Sequence, residues 1–305
     1  MADKKVGDVV CVTGANGFIG SWVVRTLLDN PRYTSIHAAI FPGSDPTHLF
    51  TLHPEARARV KVFEVDVLDA DAVCRAIDGC TGVFHVASPC TLEDPVDPER
   101  ELVLPAVQGT LNVLDVAKRF KVRRVVLTSS ISALVPNPSW PANKPFDESS
   151  WTNLDYCKSR QKWYPVSKTL AEKAAWDFAE KNGLDVVAIH PATCLGRMFQ
   201  PGLNASCAVL LQLLQGSPDT QECHWLGAVH VQDFSDFAKR VSKLYPEFPI
   251  HRFPDETQPG LMACKDAAKR LINLGLVFTP VEDAVQDTVE SLTAKGFLKQ
   301  QTLET

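Results

Sequence analysis

Asp8-Val9-Val10-Cys11-Val12-Thr13-Gly14-Ala15-Asn16-Gly17-Phe18-Ile19-Gly20 is the stretch on which the reading of this chain turns. Its opening half is a short apolar run rich in β-branched side chains, the pattern of a buried strand. Glycines then recur at every third position, and Trp22, Val23, Leu27 and Leu28 give Ser21 to Asn30 a helical pattern. A glycine-rich turn between strand and helix lets the backbone approach a pyrophosphate, with the helix N-terminus facing the negative charge. The spacing is G-x-x-G-x-x-G, not the commoner G-x-G-x-x-G, and a plain structural turn competes with the dinucleotide reading. The strand before and the helix after decide for the dinucleotide.

Working outward, strand and helix patterns alternate. Ser35 to Ile40 reads as strand two and Val60 to Val65 as strand three, followed by a helix over Asp69 to Ile77. Gly82 to Val86 is strand four, Glu99 to Phe120 a long helix that Pro105 should kink, and Arg124 to Thr128 strand five. A proline-rich loop, Val135 to Ser150, precedes a helix over Thr169 to Asn182 and strand six over Asp185 to His190. This alternation predicts an α/β fold, a Rossmann-type doubly wound parallel sheet with right-handed crossovers. After Pro191 strand patterns become sparse, and Asn204 to Leu214, Phe234 to Leu244, Lys265 to Asn273 and Val281 to Thr293 read as helices. The expected division is therefore a nucleotide-binding domain over 1–190 and a smaller, mainly helical substrate lobe over 191–305.

Bulk properties narrow the function classes. A formal charge of −5 with no basic run argues against nucleic acid as a partner. No apolar stretch is long enough to span a membrane. Met1 to Gly7 lead into the first strand without a signal-type apolar segment, which points to the cytoplasm. The nine cysteines and eight histidines are scattered, with no C-x-x-C pair and no cluster at zinc spacing, so no metal is expected. Cys11, Cys194 and Cys207 lie in apolar runs and suit buried, reduced thiols.

Two further stretches carry chemistry. Tyr164-Pro165-Val166-Ser167-Lys168 sets a phenol and an ammonium four residues apart at the mouth of a helix, on one helix face. A phenol, with an ordinary pKa of about 10, is a poor acid/base at neutral pH, and a fixed ammonium beside it favours the phenolate. The pair can then move a proton to or from an alcohol oxygen. Alone, the spacing also fits a surface tyrosine and a solvated lysine. Thr128-Ser129-Ser130 closes strand five, where open α/β sheets bind ligands. Ser130 is placed to hydrogen-bond a substrate oxygen, with Ser129 as its structural neighbour, although serine also serves often as a cap.

These residues together resemble the extended short-chain dehydrogenase/reductase superfamily, and within it the plant cinnamoyl-CoA reductase and dihydroflavonol 4-reductase group. The resemblance runs from about Val9 to Leu292 and rests on Val12 to Ser21, Phe84-His85-Val86-Ala87-Ser88-Pro89, Val126 to Ser130, Tyr164 with Lys168, and His190-Pro191-Ala192-Thr193. It implies NADP(H) held by the Thr13 to Gly20 loop: Thr13, Gly14, Asn16, Gly17, Phe18, Ile19 and Gly20, with the three glycines on the pyrophosphate. Asp66 and Val67 would meet the adenine, although Asp66 also reads as a helix N-terminal acid. Val86, Ala87 and Ser88 would line the nicotinamide side, and Pro191, Ala192, Thr193 and Cys194 would pack on its amide, with Ser206 touching the cofactor as well. Tyr164 would be the acid/base, Lys168 would lower its pKa and bind the ribose, and Ser130 would polarise the carbonyl. The implied activity is reduction of a phenylpropanoid-type aromatic carbonyl, small and soluble, by a monomer or homodimer.

The chain departs from that pattern in three places. At the end of strand two, Phe41 replaces the arginine that relatives often place on the extra phosphate, and no acid follows directly. NADP then leans on backbone amides, Phe41 and Ser44. Around the tyrosine, Lys162-Trp163-Tyr164-Pro165-Val166 keeps Trp163 and Tyr164 but lacks the cysteine and second tyrosine of the thioester-reducing enzymes, so a free aldehyde or ketone joins the thioester as candidate substrate. After Asp233, roughly two dozen residues present in relatives, one helix and one strand of ordinary length, are missing. Two rival readings follow: a nucleotide-sugar epimerase or dehydratase using the same Tyr/Lys/Ser set, and a catalytically impaired NADP-binding variant with a regulatory role.

Overall fold

β1 (Asp8–Thr13) sits at the centre of a parallel sheet because its apolar side chains are covered on both faces. The computed structural model describes residues 7–90, 95–141, 144–217, 234–251, 253 and 269–299. Within these, β1 joins β2 (Tyr33–Ile40), β3 (Val60–Glu64), β4 (Gly82–His85), β5 (Arg124–Thr128) and β6 (Val186–Ile189) in one sheet of order β3-β2-β1-β4-β5-β6. All pairs are parallel. This is the Rossmann-type doubly wound order, and strand order reverses between β1 and β4, where such sheets open a crevice at their carboxyl ends. The register carries that edge across: Thr13 faces His85, and Leu127 faces His85 on the other side.

The helices that wind the sheet are α1 (Phe18–Asp29), the short α2 (Ala56–Arg59), α3 (Ala70–Ile77) and α4 (Leu104–Arg119). Next along the chain come α5 (Leu154–Ser159) and α6 (Trp163–Asn182). One continuous core includes Cys11, Val83, Val125 and Leu127 of the strands with Val73, Ile77, Val113, Leu114 and Ala175 of the helices. Each large side chain fully buried there contributes about 2 kcal/mol.

The chain divides into two units. The first is Met1–Ala133 with Cys157–His190, and the second is Leu134–Tyr156 with Pro191–Thr305. Leu134–Tyr156, which the sequence division placed in the first domain, therefore groups with the second. In that second unit, α7 (Ala205–Leu214), α8 (Phe234–Leu244), α9 (Lys269–Asn273) and α10 (Val281–Ala294) are all helical, in keeping with the lack of strand patterns after Pro191. Thr288 and Ser291 of α10 accept the amides of Gly196 and Met198 (2.7 and 3.1 Å), which fixes that loop. The junction at Asp233 and the start of the Lys265 helix lie outside the described residues.

Two helices differ from expectation. The long helix over Glu99 to Phe120 changes winding next to Pro105: Glu99–Val103 is a π-helical turn, and the α-form begins at Leu104. Pro105 lacks an N–H and its ring crowds the carbonyl four residues back, and the wider turn relieves both. α6 begins at Trp163 rather than Thr169, so Tyr164 and Lys168 lie inside it. Pro165 stands in the first turn, where no amide is needed, and does not break the helix. The helix closes on Gly183 in the left-handed region (φ 61°).

Candidate functional site

The turn after β1 is built around close approaches that only glycine permits. Gly14 has a positive φ (+64°), and a Cβ there would lie 2.9 Å from the backbone of Ala87. A Cβ on Gly20 would come within 2.0 Å of the Gly14 carbonyl oxygen, whereas one on Gly17 would only reach 3.4 Å from it. Gly20 thus sets how near α1 packs to the loop, and Gly14 how near the loop packs to the stretch after β4. Gly17 caps α1 without a side-chain bond. The first-turn N–H groups of Phe18, Ile19 and Gly20 have no carbonyl of the helix to bond, and they gather at its start. A cradle of amides with no side chain in it fits a pyrophosphate.

Thr13 ties the loops together. Its hydroxyl oxygen accepts the amides of Val86 and Ala87 (both 3.1 Å) and lies 2.8 Å from His85 Nδ1. With both lone pairs used, the Thr13 O–H donates to Nδ1, so His85 carries its proton on Nε2 and donates to Thr110 Oγ1 (3.2 Å). Burial, with a smaller effect of the Lys168 charge, pushes His85 down to about 3 and keeps it neutral. Its folded value lies below the ordinary 6.5, so its contribution to stability is whole above that pH and is lost as pH falls toward 3. Urea unfolding at pH 7 and pH 5 should show a loss of about 2 kcal/mol from this residue alone, absent in His85→Gln.

The remaining expected residues fall as follows. Asp66 accepts the amide of Leu68 and so shapes the turn after β3, while the cap of α3 is Asp69. Val67 presents its carbonyl to Asn112 Nδ2 (2.9 Å) and packs on Gly109 of α4, where a Cβ would meet it at 2.5 Å. Asn112, Gly109 and Thr110 had not been singled out, although a glycine in mid-helix is a signal of close packing. Phe41 is exposed after β2, and Ser44 donates its amide back to the Phe41 carbonyl (3.0 Å). The acid lacking at that strand end comes from elsewhere: Glu64, closing β3, accepts the amide of Gly43 (3.1 Å). Ser88 follows Ala87 in the loop after β4. In the second unit, Pro191, Ala192, Thr193 and Cys194 follow β6, and the Cys194 amide donates to Ser206 Oγ (3.1 Å). Burial pushes the Cys194 thiol up to about 11.

Tyr164, Lys168 and the serines come from α6 and the end of β5, all in the first unit. Lys168 is buried and donates from Nζ to the Thr128 carbonyl (3.2 Å), with Nζ 5.9 Å from the Tyr164 ring centre. Burial pushes it down to about 8, against the pull of Cys90 and Glu172. It is therefore not the solvated lysine of the competing reading. Ser130 Oγ accepts the Ser132 amide (3.1 Å), and among the described residues its own proton has no acceptor. Ser129 instead donates to Glu172. The two adjacent serines thus have different duties, one anchored and one able to donate.

A glycine cradle at the switch point of a Rossmann-type parallel sheet, with Tyr164, Lys168 and Ser130 gathered at the same sheet edge, defines the class of fold as a dinucleotide-binding α/β protein. The chain belongs to the NAD dependent epimerase/dehydratase family, whose model matches residues 10–231. Cinnamoyl-CoA reductase 2 of Medicago truncatula is 37% identical over 322 residues, covering 96% of this chain and 94% of that relative. Those 322 aligned positions outnumber the 305 residues of this chain, so the relative carries positions that this chain lacks. Vestitone reductase from alfalfa matches with a TM-score of 0.77 at 29% identity, covering 95% of this chain and all (100%) of that one. Yeast methylglyoxal/isovaleraldehyde reductase complexed with NADPH matches with a TM-score of 0.72 at 25% identity, covering 95% and 100%. No helix among the described residues is long and apolar enough to cross a membrane.

Proposed function

We propose that the chain is an NADP(H)-dependent reductase of phenylpropanoid-type carbonyls, a hydroxycinnamoyl thioester, aldehyde or ketone. The observation that carries this is the buried Lys168, fixed on the Thr128 carbonyl and beside Tyr164, with Ser130 two residues beyond Thr128. NADPH, when bound, supplies hydride to the carbonyl carbon. Tyr164 gives its phenolic proton to the carbonyl oxygen, Ser130 donates a hydrogen bond to the same oxygen, and Lys168 stabilises the phenolate left behind; an aldehyde or ketone ends as the alcohol, and a thioester ends as the aldehyde once the hemithioacetal expels its thiol. The glycine cradle holds the pyrophosphate, and Asp66, Val67, Val86, Ala87, Ser88, Pro191 to Cys194 and Ser206 are assigned to the cofactor by resemblance. The kinship with cinnamoyl-CoA reductases over nearly the whole chain supports the substrate class. The protein acts in the cytoplasm as a monomer or homodimer.

An NADPH-consumption screen over hydroxycinnamoyl thioesters, the matching aldehydes and dihydroflavonols tests the proposal. Turnover on one class is expected, and tightly bound NAD with no net NADPH consumption on any would favour the epimerase chemistry instead. Glu64 adds a check on the cofactor. Its carboxylate at the Gly43 amide opposes a phosphate on the ribose, so Glu64→Gln should raise the preference for NADPH over NADH about five-fold, read as the ratio of kcat/KM values.

A second reading has one observation behind it. Leu274 and Val277, after α9, are 84% and 89% exposed, the kind of apolar surface that loss of a packed segment leaves bare. If the second unit presents substrate poorly, inserting the relatives' segment after Asp233 raises turnover strongly. Unchanged turnover would dispose of that reading.

A further inference from the structure

Behind the Tyr164–Lys168 site lies a buried polar cluster that the reduction chemistry above does not use. Glu172, one helical turn beyond Lys168, is a buried carboxylate. Ser129 Oγ donates to its Oε2 (2.5 Å), Trp176 Nε1 to its Oε1 (3.1 Å), and His190 Nε2 lies 2.9 and 2.8 Å from the two oxygens. A carboxylate with three donors is acceptor-only, so the Nε2 of His190 carries a proton. Burial alone would raise Glu172, but the bonds from His190, Ser129 and Trp176 prevail and hold it below its ordinary value. Burying a charge this deeply is costly unless it is paired and hydrogen-bonded, and these three partners offset that cost.

We propose that Glu172 and His190 are a positioning pair for Lys168: the carboxylate anchors Ser129, and with it the Thr128 carbonyl that receives the lysine, and gives the lysine its buried counter-charge. This rests on the reading of Tyr164 and Lys168 as the proton-transfer pair. The groups facing Lys168 single out Glu172 for the task. From its own helix come Tyr164 and Glu172, from β4 and the loop after it His85 and Cys90, and from β5 the Thr128 carbonyl. His85 is held neutral by burial. Cys90 is exposed as a residue, but its sulfur is desolvated enough to be pushed above its ordinary value, so it is an uncharged thiol at neutral pH. Among the described residues, Glu172 is the anion that remains at neutral pH. His190 Nε2, within hydrogen-bond distance of both carboxylate oxygens, fixes the orientation of the carboxylate.

The test uses the full chain with lysine labelled with ¹³C at Cε, the Lys168 signal being assigned by its loss in Lys168→Arg. Glu172→Gln keeps the shape and removes the charge. Its Lys168 titration should fall about one unit below that of the parent chain. With the parent near 8, kcat at pH 8 should then drop about five-fold, with KM for the carbonyl substrate within two-fold. A structural role alone would not move the lysine titration. A shift under about 0.3 unit in folded Glu172→Gln overturns the pair. Should that variant not fold, His190→Asn decides: it keeps an N–H toward the carboxylate but cannot carry positive charge, so Lys168 must titrate no lower than in the parent, and a fall there overturns the pair. The titration needs no substrate. A downward shift in Glu172→Gln in a chain that reduces no carbonyl keeps the pair and rejects the functional reading, and an unmoved titration rejects the pair whatever the turnover.

Discussion

Tyr164→Phe should lower carbonyl reduction about 10³-fold while leaving NADPH affinity within about two-fold of the parent chain. The substitution removes one oxygen and nothing else. Phenylalanine keeps the ring that stands 5.9 Å from the Lys168 ammonium, and it sits in the first turn of α6, where the backbone asks nothing of the side chain. The glycine cradle on the other side of the switch point is untouched. What is lost is the proton given to the carbonyl oxygen as hydride arrives, so the alkoxide must form unprotonated, stabilised by Ser130 alone. Steady-state NADPH oxidation gives the rate, and quenching of protein fluorescence by NADPH gives the affinity. Turnover within ten-fold of the parent would remove Tyr164 from the mechanism. A parallel loss of NADPH affinity would make the tyrosine a binding residue instead.

Gly20→Ala should abolish NADPH binding and destabilise the protein by about 3 kcal/mol, whereas Gly17→Ala should leave stability within about 1 kcal/mol. Gly17 caps α1 and Gly20 lies in its first turn, and the sequence alone gives no reason to separate them. The geometry does. A methyl on Gly20 meets the Gly14 carbonyl oxygen at 2.0 Å and Ala15 Cα at 2.8 Å, and both are backbone atoms that cannot rotate aside. A methyl on Gly17 has one neighbour at 3.4 Å. Relief at Gly20 requires α1 to move off the loop, which takes the first-turn amides away from the pyrophosphate. Urea unfolding and an NADPH titration of both variants make the comparison. Equal stability losses would show that the close approach of α1 to the loop does not matter.

The strands were legible because buried parallel strands are short apolar runs, and β5 and α8 match the sequence reading end for end. The glycine turn was legible because the spacing that forms it is local, and the Tyr164–Lys168 spacing places both residues in α6 as read. Failures have long-range causes. The sequence reading began α6 at Thr169, whereas the helix starts at Trp163 with Pro165 in its first turn, where no amide is needed. Nothing near Glu64 in the sequence says that it will meet Gly43, and nothing near Ser129 points to Glu172 or His190. These pairings depend on which strand ends share an edge, which periodicity does not encode. Leu134–Tyr156 was assigned by its position in the chain, whereas its packing places it with the residues after Pro191.

The Thr13 hydroxyl, saturated by two amides and a neutral His85, joins the loop after β1 to the loop after β4 with no charged group involved. A nucleotide arriving at this edge finds the cradle already assembled. Association should then proceed at the rate of encounter, with a single fast phase insensitive to salt beyond the charge of the nucleotide itself, and any slow step in the catalytic cycle must be sought elsewhere in the molecule.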